Sequence, residues 1–174
     1  VENSAKRLVS ADPGCYGALT LFVGGTPVEI ADMPIVKVRR GKSDKAEVDG
    51  HGLRALLWRW QPDIGIVEQV GGMTGQSASA AFNFGRAAGA VEYLLIGAGA
   101  RLERVPPGRW KRALNIKPGK DDSRLAAMRL WPALADKFAR KKDDGRAESA
   151  LIGHWLLTQI GDLQRLVTAE EMAG

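Results

Sequence analysis

Short apolar runs separated by turn residues open the chain. Arg7 to Ser10 leads into the turn ADPG, the run ALTLFV from Ala18 to Val23 follows a glycine-bearing turn, and GGTP redirects the chain into Val28 to Ala31. This pattern predicts a β-hairpin joined to a third strand, and such tight joins make antiparallel pairing the natural order. From Val36 to Asp49 the sequence VKVRRGKSDKAEVD is polar, carries no helical apolar stripe and predicts a basic loop. Leu53, Leu56, Leu57 and Trp60 then recur at helical spacing, and Pro62 closes that helix. The apolar run from Ile64 to Val67 predicts a buried parallel strand with Glu68 at its C-terminal end.

Ser77 to Ala98 is rich in alanine and predicts a long helix, followed by a strand at Leu102 to Val105 that Pro106 and Pro107 break. Helices are expected around Trp110 to Leu114, from Asp122 to Leu130 and from about Arg146 to Ile160. Hairpins first, then strands alternating with helices, imply an α/β fold: a mixed five-stranded sheet, its first three strands antiparallel and the later ones parallel, with helices on both faces. The 174 residues are read as a single domain, 1–174, without internal repeats.

Composition adds a partner class. With 45% hydrophobic and 26% charged residues the chain reads as an ordinary soluble globular protein. A formal net charge of +5 and a pI near 9.6 favour a polyanionic partner, because clustered Lys and Arg displace counterions from phosphates. Cys15 is the only cysteine, which excludes an intramolecular disulfide and a cysteine-rich zinc site, and His51 and His154 are the only histidines. Any metal must therefore be held mainly by carboxylates. No apolar run reaches the length of a membrane span and no secretory signal is evident, so no membrane association and a cytoplasmic location are expected.

The acidic residues stand at places that suit metal chemistry. Phosphodiester cleavage by two metals needs several carboxylates around ions about 3.5–4 Å apart, one activating water and one stabilising the leaving oxygen. Asp12 lies where the first strand leaves the sheet, before Pro13 and Gly14; on position alone it also suits an ordinary turn aspartate. Glu68 ends a buried run, where a carboxylate must be solvated, paired or bound to a cation. Asp144 and Glu148 are four residues apart at the start of the last helix and share one face, where like charges repel unless a cation neutralises them. Asp143 competes with Asp144, or serves as the helix cap.

Taken together, five blocks resemble the RuvC-like Holliday junction resolvases of the RNase H-like superfamily. ADPGCYGALTLF resembles their opening motif, IVEQVGG the strand bearing the second acid, SAAFNFGRAAGAV the long helix, VPPGRWKRAL the proline-then-basic segment, and KKDDGRAESALIG the closing acidic helix. The blocks keep the family's order over nearly the whole chain. DMPIVKVRRGKS, GKDDSR and KKDDGRAE look closest to phage-type, stand-alone bacterial and plastid relatives. In the bacterial housekeeping enzyme the last two acids are aspartates three apart, whereas here the pair ends in Glu148 and its partner is Asp144 or Asp143.

The resemblance implies an RNase H-like fold and a homodimer that resolves four-way DNA junctions by metal-dependent hydrolysis in two opposing strands. It implies Mg²⁺ or Mn²⁺, two ions per site, on Asp12, Glu68, Asp144 and Glu148, with Lys111 near the scissile phosphate. Arg112 and Lys120 become backbone contacts, and Met73 or Gln76 a probe of the junction bases; the basic loop with Arg39, Arg40 and Lys42 reads, on its own charge, as either a solvated connection or a contact to the DNA backbone. A bacterial cell or the cytoplasm of a phage-infected host is the implied setting, with an organelle as the alternative. Phe82 and Phe84 are expected in the core or at a dimer interface. Rival readings are a related nuclease acting on RNA or non-junction DNA, and a junction-binding protein without activity. The DPG turn also resembles the phosphate loop of actin-like ATPases, a fold that needs two such domains.

Overall fold

The computed structural model describes residues 6–41, 43–69, 71, 75, 77–117, 119 and 121–173, with side chains described as far as Gly161. Strands β1 (Arg7–Asp12), β2 (Ala18–Val23) and β3 (Thr26–Asp32) form the expected antiparallel meander. A hairpin of β4 (Ile35–Arg40) and β5 (Ser43–Val48) follows, then α1 (Gly50–Trp60), β6 (Ile64–Glu68), α2 (Ala78–Gly97) and β7 (Arg101–Val105). The chain continues through α3 (Pro107–Ala113), α4 (Asp122–Leu130), two 3-10 turns at Pro132–Phe138 and Lys141–Asp143, and α5 (Asp144–Ala173).

The main sheet has the order β3-β2-β1-β6-β7, with β1, β6 and β7 parallel. Alternation along the strands divides the core in two. On one face Val9, Ala11, Leu19, Leu21 and Val67 meet Leu53, Leu57 and Trp60 of α1 and Val91 and Leu95 of α2. On the other, Leu8, Phe22, Ile66 and Val105 meet Trp110 of α3, Ala127 of α4 and Ala147, Leu151 and Trp155 of α5. Asp12 shares the parity of Leu8, and Glu68 that of Ile66. Both carboxylates are therefore placed on the α3–α5 face, at the C-terminal edge of the parallel strands, where open α/β sheets hold their ligands.

α5 lies close against that sheet. The Ser10 hydroxyl donates to the Ser149 carbonyl at 2.6 Å, and the Thr20 and Ser149 hydroxyls are 2.8 Å apart, so the polar groups buried under the helix satisfy one another. Gly153 permits this approach, since a Cβ there would lie 2.4 Å from the Phe22 ring.

Residues 36–49, expected as a loop, instead form most of the hairpin β4–β5. Val36 and Val38 alternate in β4, and Gly41 turns the chain at φ 62°. Cross-strand ion pairs, Arg39 with Asp44 and Arg40 with Glu47, then hold strands too charged to show an apolar stripe. α5 also begins at Asp144 rather than Arg146, and it runs past Ile160.

Candidate metal centre

Three elements, β1, β6 and α5, carry the four acids to the same end of the sheet. β1 and β6 run parallel in register, with Ala11 opposite Val67, so the next residue of each, Asp12 and Glu68, ends its strand at the same level. The turn after Asp12 is tight: the Gly17 amide donates to the Gly14 carbonyl at 2.9 Å, and a Cβ on Gly17 would sit 2.2 Å from the Asp12 carbonyl oxygen. The start of α5 rests on this turn, with the position of a Gly145 Cβ 2.7 Å from the Gly17 Cα and 3.0 Å from Asp12 Oδ2. Two glycines thus bring Asp144 and Glu148 to the end of β1.

The electrostatics register the crowding. The Asp12 carboxyl is pushed up to about 7 by burial, then by the charges of Glu148 and Glu68, against a weaker opposing bond from the Gly14 amide, with Asp144 adding to the rise. Glu68 is raised by burial and by Glu148, although the Trp110 indole and Lys111 oppose the rise. Burial and Glu148 likewise raise Asp144, against Lys111 and Arg124. Burial is the largest cause in each case, and the repulsion of neighbouring carboxylates adds to it.

Donors fix one oxygen of two of the acids. Trp110 Nε1 donates to Glu68 Oε1 at 2.9 Å, while Lys111 Nζ and the Ser123 hydroxyl donate to Glu148 Oε1 at 2.6 and 2.9 Å. Among the described residues Oε2 of each glutamate accepts no hydrogen bond. Burial opposes the charge on Lys111, yet Glu148, Glu68 and Asp144 outweigh it and raise its pKa, so the ammonium stays protonated. Trp110 and Ser123 were not singled out from the sequence. Nothing in their spacing signals the partners that tertiary packing gives them.

Asp143 is placed apart from this group. It is 1% exposed and accepts from the Arg140 guanidinium at 2.8 Å and the Arg140 amide at 2.9 Å, with Arg146 at 3.7 Å. The Arg140 guanidinium holds its carboxyl below the usual range, in contrast to Asp144. Arg146 also forms a bidentate pair with Asp32, whose carboxyl is lowered by it.

Among the described residues no three His, Cys, Asp or Glu side chains are gathered closely enough to hold a metal ion as they stand. Glu148 is instead engaged by Lys111 and Ser123, and Glu68 by Trp110. The chemistry of the donor set nevertheless fits a hard dication: Asp12, Glu68, Asp144 and Glu148 offer carboxylate oxygens, and Oε2 of each glutamate accepts no hydrogen bond among the described residues.

The remaining positions are mixed. Arg39 and Arg40 are exposed but tied to Asp44 and Glu47, and Arg112 is exposed on α3 with no ion pair among the described residues. Lys42, Met73, Gln76 and Lys120 lie outside the described residues. Phe82 is 63% exposed, while Phe84 is partly buried, its ring 3.4 Å from where a Gly14 Cβ would be.

An α/β sheet of this order with helices on both faces is the RNase H-like fold, and a solved structure shares it. T. thermophilus RuvC in complex with a Holliday junction substrate matches with a TM-score of 0.51 and 16% identity, over 86% of this chain and 91% of that one. A second Thermus thermophilus RuvC structure matches at 18% identity and a TM-score of 0.44, over 79% and 92%. The first of these matches shows that the chain shares the fold of that RuvC. No family model and no curated protein matches the sequence itself.

Proposed function

We propose that the chain is a crossover junction endodeoxyribonuclease that, as a homodimer, resolves four-way DNA junctions by paired hydrolysis in opposing strands. The observation that supports this reading is that Asp12, Glu68, Asp144 and Glu148 lie toward the C-terminal edge of the parallel strands, near enough to one another that Glu148 adds to the raised pKa of Asp12, Glu68 and Asp144. A surface made only to bind DNA gains nothing from anions facing phosphates. The fold shared with a RuvC solved on its junction supports the choice of substrate.

Asp12, Glu68, Asp144 and Glu148 would hold Mg²⁺ or Mn²⁺. Bound there, such ions would supply activation of a water and stabilisation of the oxygen that leaves phosphorus. The chain's own groups do the rest. Trp110 and Ser123 hold their glutamates in place, as outer partners orient ligands elsewhere. Lys111 pairs with Glu148 and would meet a phosphate oxygen as negative charge develops on it. In the reaction a bond forms from water oxygen to phosphorus, the bond to the 3′ oxygen breaks, and that oxygen takes up a proton. The nick that remains can be resealed.

Dimerisation is supported by a stripe on α2. Phe82, Tyr93 and Ile96 are exposed at 63, 75 and 49%, and a Cβ on Gly85 or Gly89 would meet open space. Aromatic residues interleaved with glycines on one helix face suit close packing against a second copy. The test is Asp12→Asn beside Glu68→Gln on a labelled four-way junction. Each variant is expected to bind the junction and leave it uncut; a variant that still cuts at the parent rate contradicts the reading.

A further inference from the structure

A cleft of about 790 Å³ opens on the Asp12 and Asp144 side of the cluster. That volume lies within the range of about 300–1,000 Å³ for small-ligand sites. Its floor is apolar: Met33 is 4% exposed, Phe84 is partly buried, and Ile35 is 40% exposed. Tyr16, 83% exposed, lines it from the turn after β1, and Lys141 and Lys142 also line it.

The charges in the cleft sort themselves. Asp32 is taken by Arg146, and Asp143 by Arg140 and Arg146, so these aspartates bring no free anion. Neither Lys141 nor Lys142 makes an ion pair among the described residues, although Lys141 lies near enough to Asp121 to lower its carboxyl slightly. An exposed aromatic ring, an apolar floor and two available ammonium groups thus adjoin the carboxylates. The combination suits a nucleotide, whose base stacks on an aromatic face while its phosphate meets lysine.

We propose that this cleft takes up one unstacked nucleobase of the strand being cut, with Tyr16 stacking on the base and Lys141 and Lys142 holding the adjoining phosphate. The inference rests on the nuclease reading. Tyr16 is anchored for such a role: it lies between Gly14 and Gly17 of the tight turn, and its carbonyl oxygen is 2.9 Å from where a Gly145 Cβ would stand. A base held there sets the position of the next phosphate against Asp12 and Asp144. Tyr16 is thereby a residue that determines where the strand is cut.

The test places 2-aminopurine, which brightens when unstacked, at each nucleotide flanking the cut in a four-way junction, with EDTA present so that the strand stays whole. The fluorescence is expected to rise on binding at one position. Tyr16→Phe should keep the rise; Tyr16→Ala should lose it and weaken binding by about tenfold. Because Tyr16 is exposed, the melting temperature of Tyr16→Ala should match the parent. Lys141→Ala with Lys142→Ala should reduce the salt dependence of binding by about one to two ions. A protein that binds and cuts the junction with no rise at any position overturns base uptake and leaves the nuclease reading standing. One that neither binds nor cuts overturns both.

Discussion

Gly145 at the start of α5 lies against Gly17 of the turn after β1, so closely that a Cβ on Gly145 would be 2.7 Å from the Gly17 Cα and 2.9 Å from the Tyr16 carbonyl oxygen. Both of those neighbours are backbone atoms and neither can turn aside. Gly145→Ala gains helix propensity of at most about 1 kcal/mol, and less at a helix end. The steric cost should exceed it, giving a net loss of about 1–3 kcal/mol in urea unfolding. Cleavage should fall by more than stability explains, because the same contact brings Asp144 to Asp12.

The two adjacent aspartates should separate cleanly. Asp143→Asn breaks a buried pair with Arg140 and should cost about 1–3 kcal/mol of stability. Asp144→Asn removes a repelled charge, so stability should hold or rise while cleavage falls at least a hundredfold. Thermal melts and cleavage rates on the two variants check this, and the opposite pattern would make Asp143 the ligand.

Lys111 and Ser123 meet the same oxygen of Glu148. Lys111→Ala should lower the cleavage rate by about a hundredfold, as removal of a charge-stabilising donor does elsewhere. Ser123→Ala keeps the ammonium and loses only the positioning bond. It should weaken metal affinity by about tenfold, read as a shift in Mg²⁺ dependence with the rate at saturation nearly kept.

pH gives a signed expectation. Asp12 in the folded protein holds its proton up to about pH 7, above its ordinary 3.8, so the native state binds more protons than the unfolded chain between those values. Stability should therefore fall as pH rises from about 4 to about 7, with the penalty fully present above that. Glu68 and Asp144 act in the same direction. Melting without metal should show the decline, Asp12→Asn should blunt it, and Mg²⁺ should raise the melting temperature more at pH 8 than at pH 5.

The strands β2 and β6 were legible in the sequence because they are apolar and bounded by glycine or proline turns. Ile64 to Val67 and Asp122 to Leu130 are found where their patterns put them. The hairpin β4–β5 was not, because its strands are held by ion pairs across Arg39, Arg40, Asp44 and Glu47, and only Val36, Val38 and Gly41 hint at it. The acids were legible as strand ends and a helix face. Which oxygen each presents was not, since Trp110 and Ser123 reach Glu68 and Glu148 across 42 and 25 residues of chain. Two glycines of unremarkable spacing, Gly17 and Gly145, gave no sign that they touch.

The central claim meets its most direct test when purified protein is mixed with a synthetic four-way junction and a linear duplex of the same sequence, with Mg²⁺, Mn²⁺ or EDTA. The account predicts paired, symmetric nicks in opposing strands of the junction, dependent on the metal and absent from the duplex. Equal cutting of the duplex, or junction cutting that persists in EDTA, would contradict it.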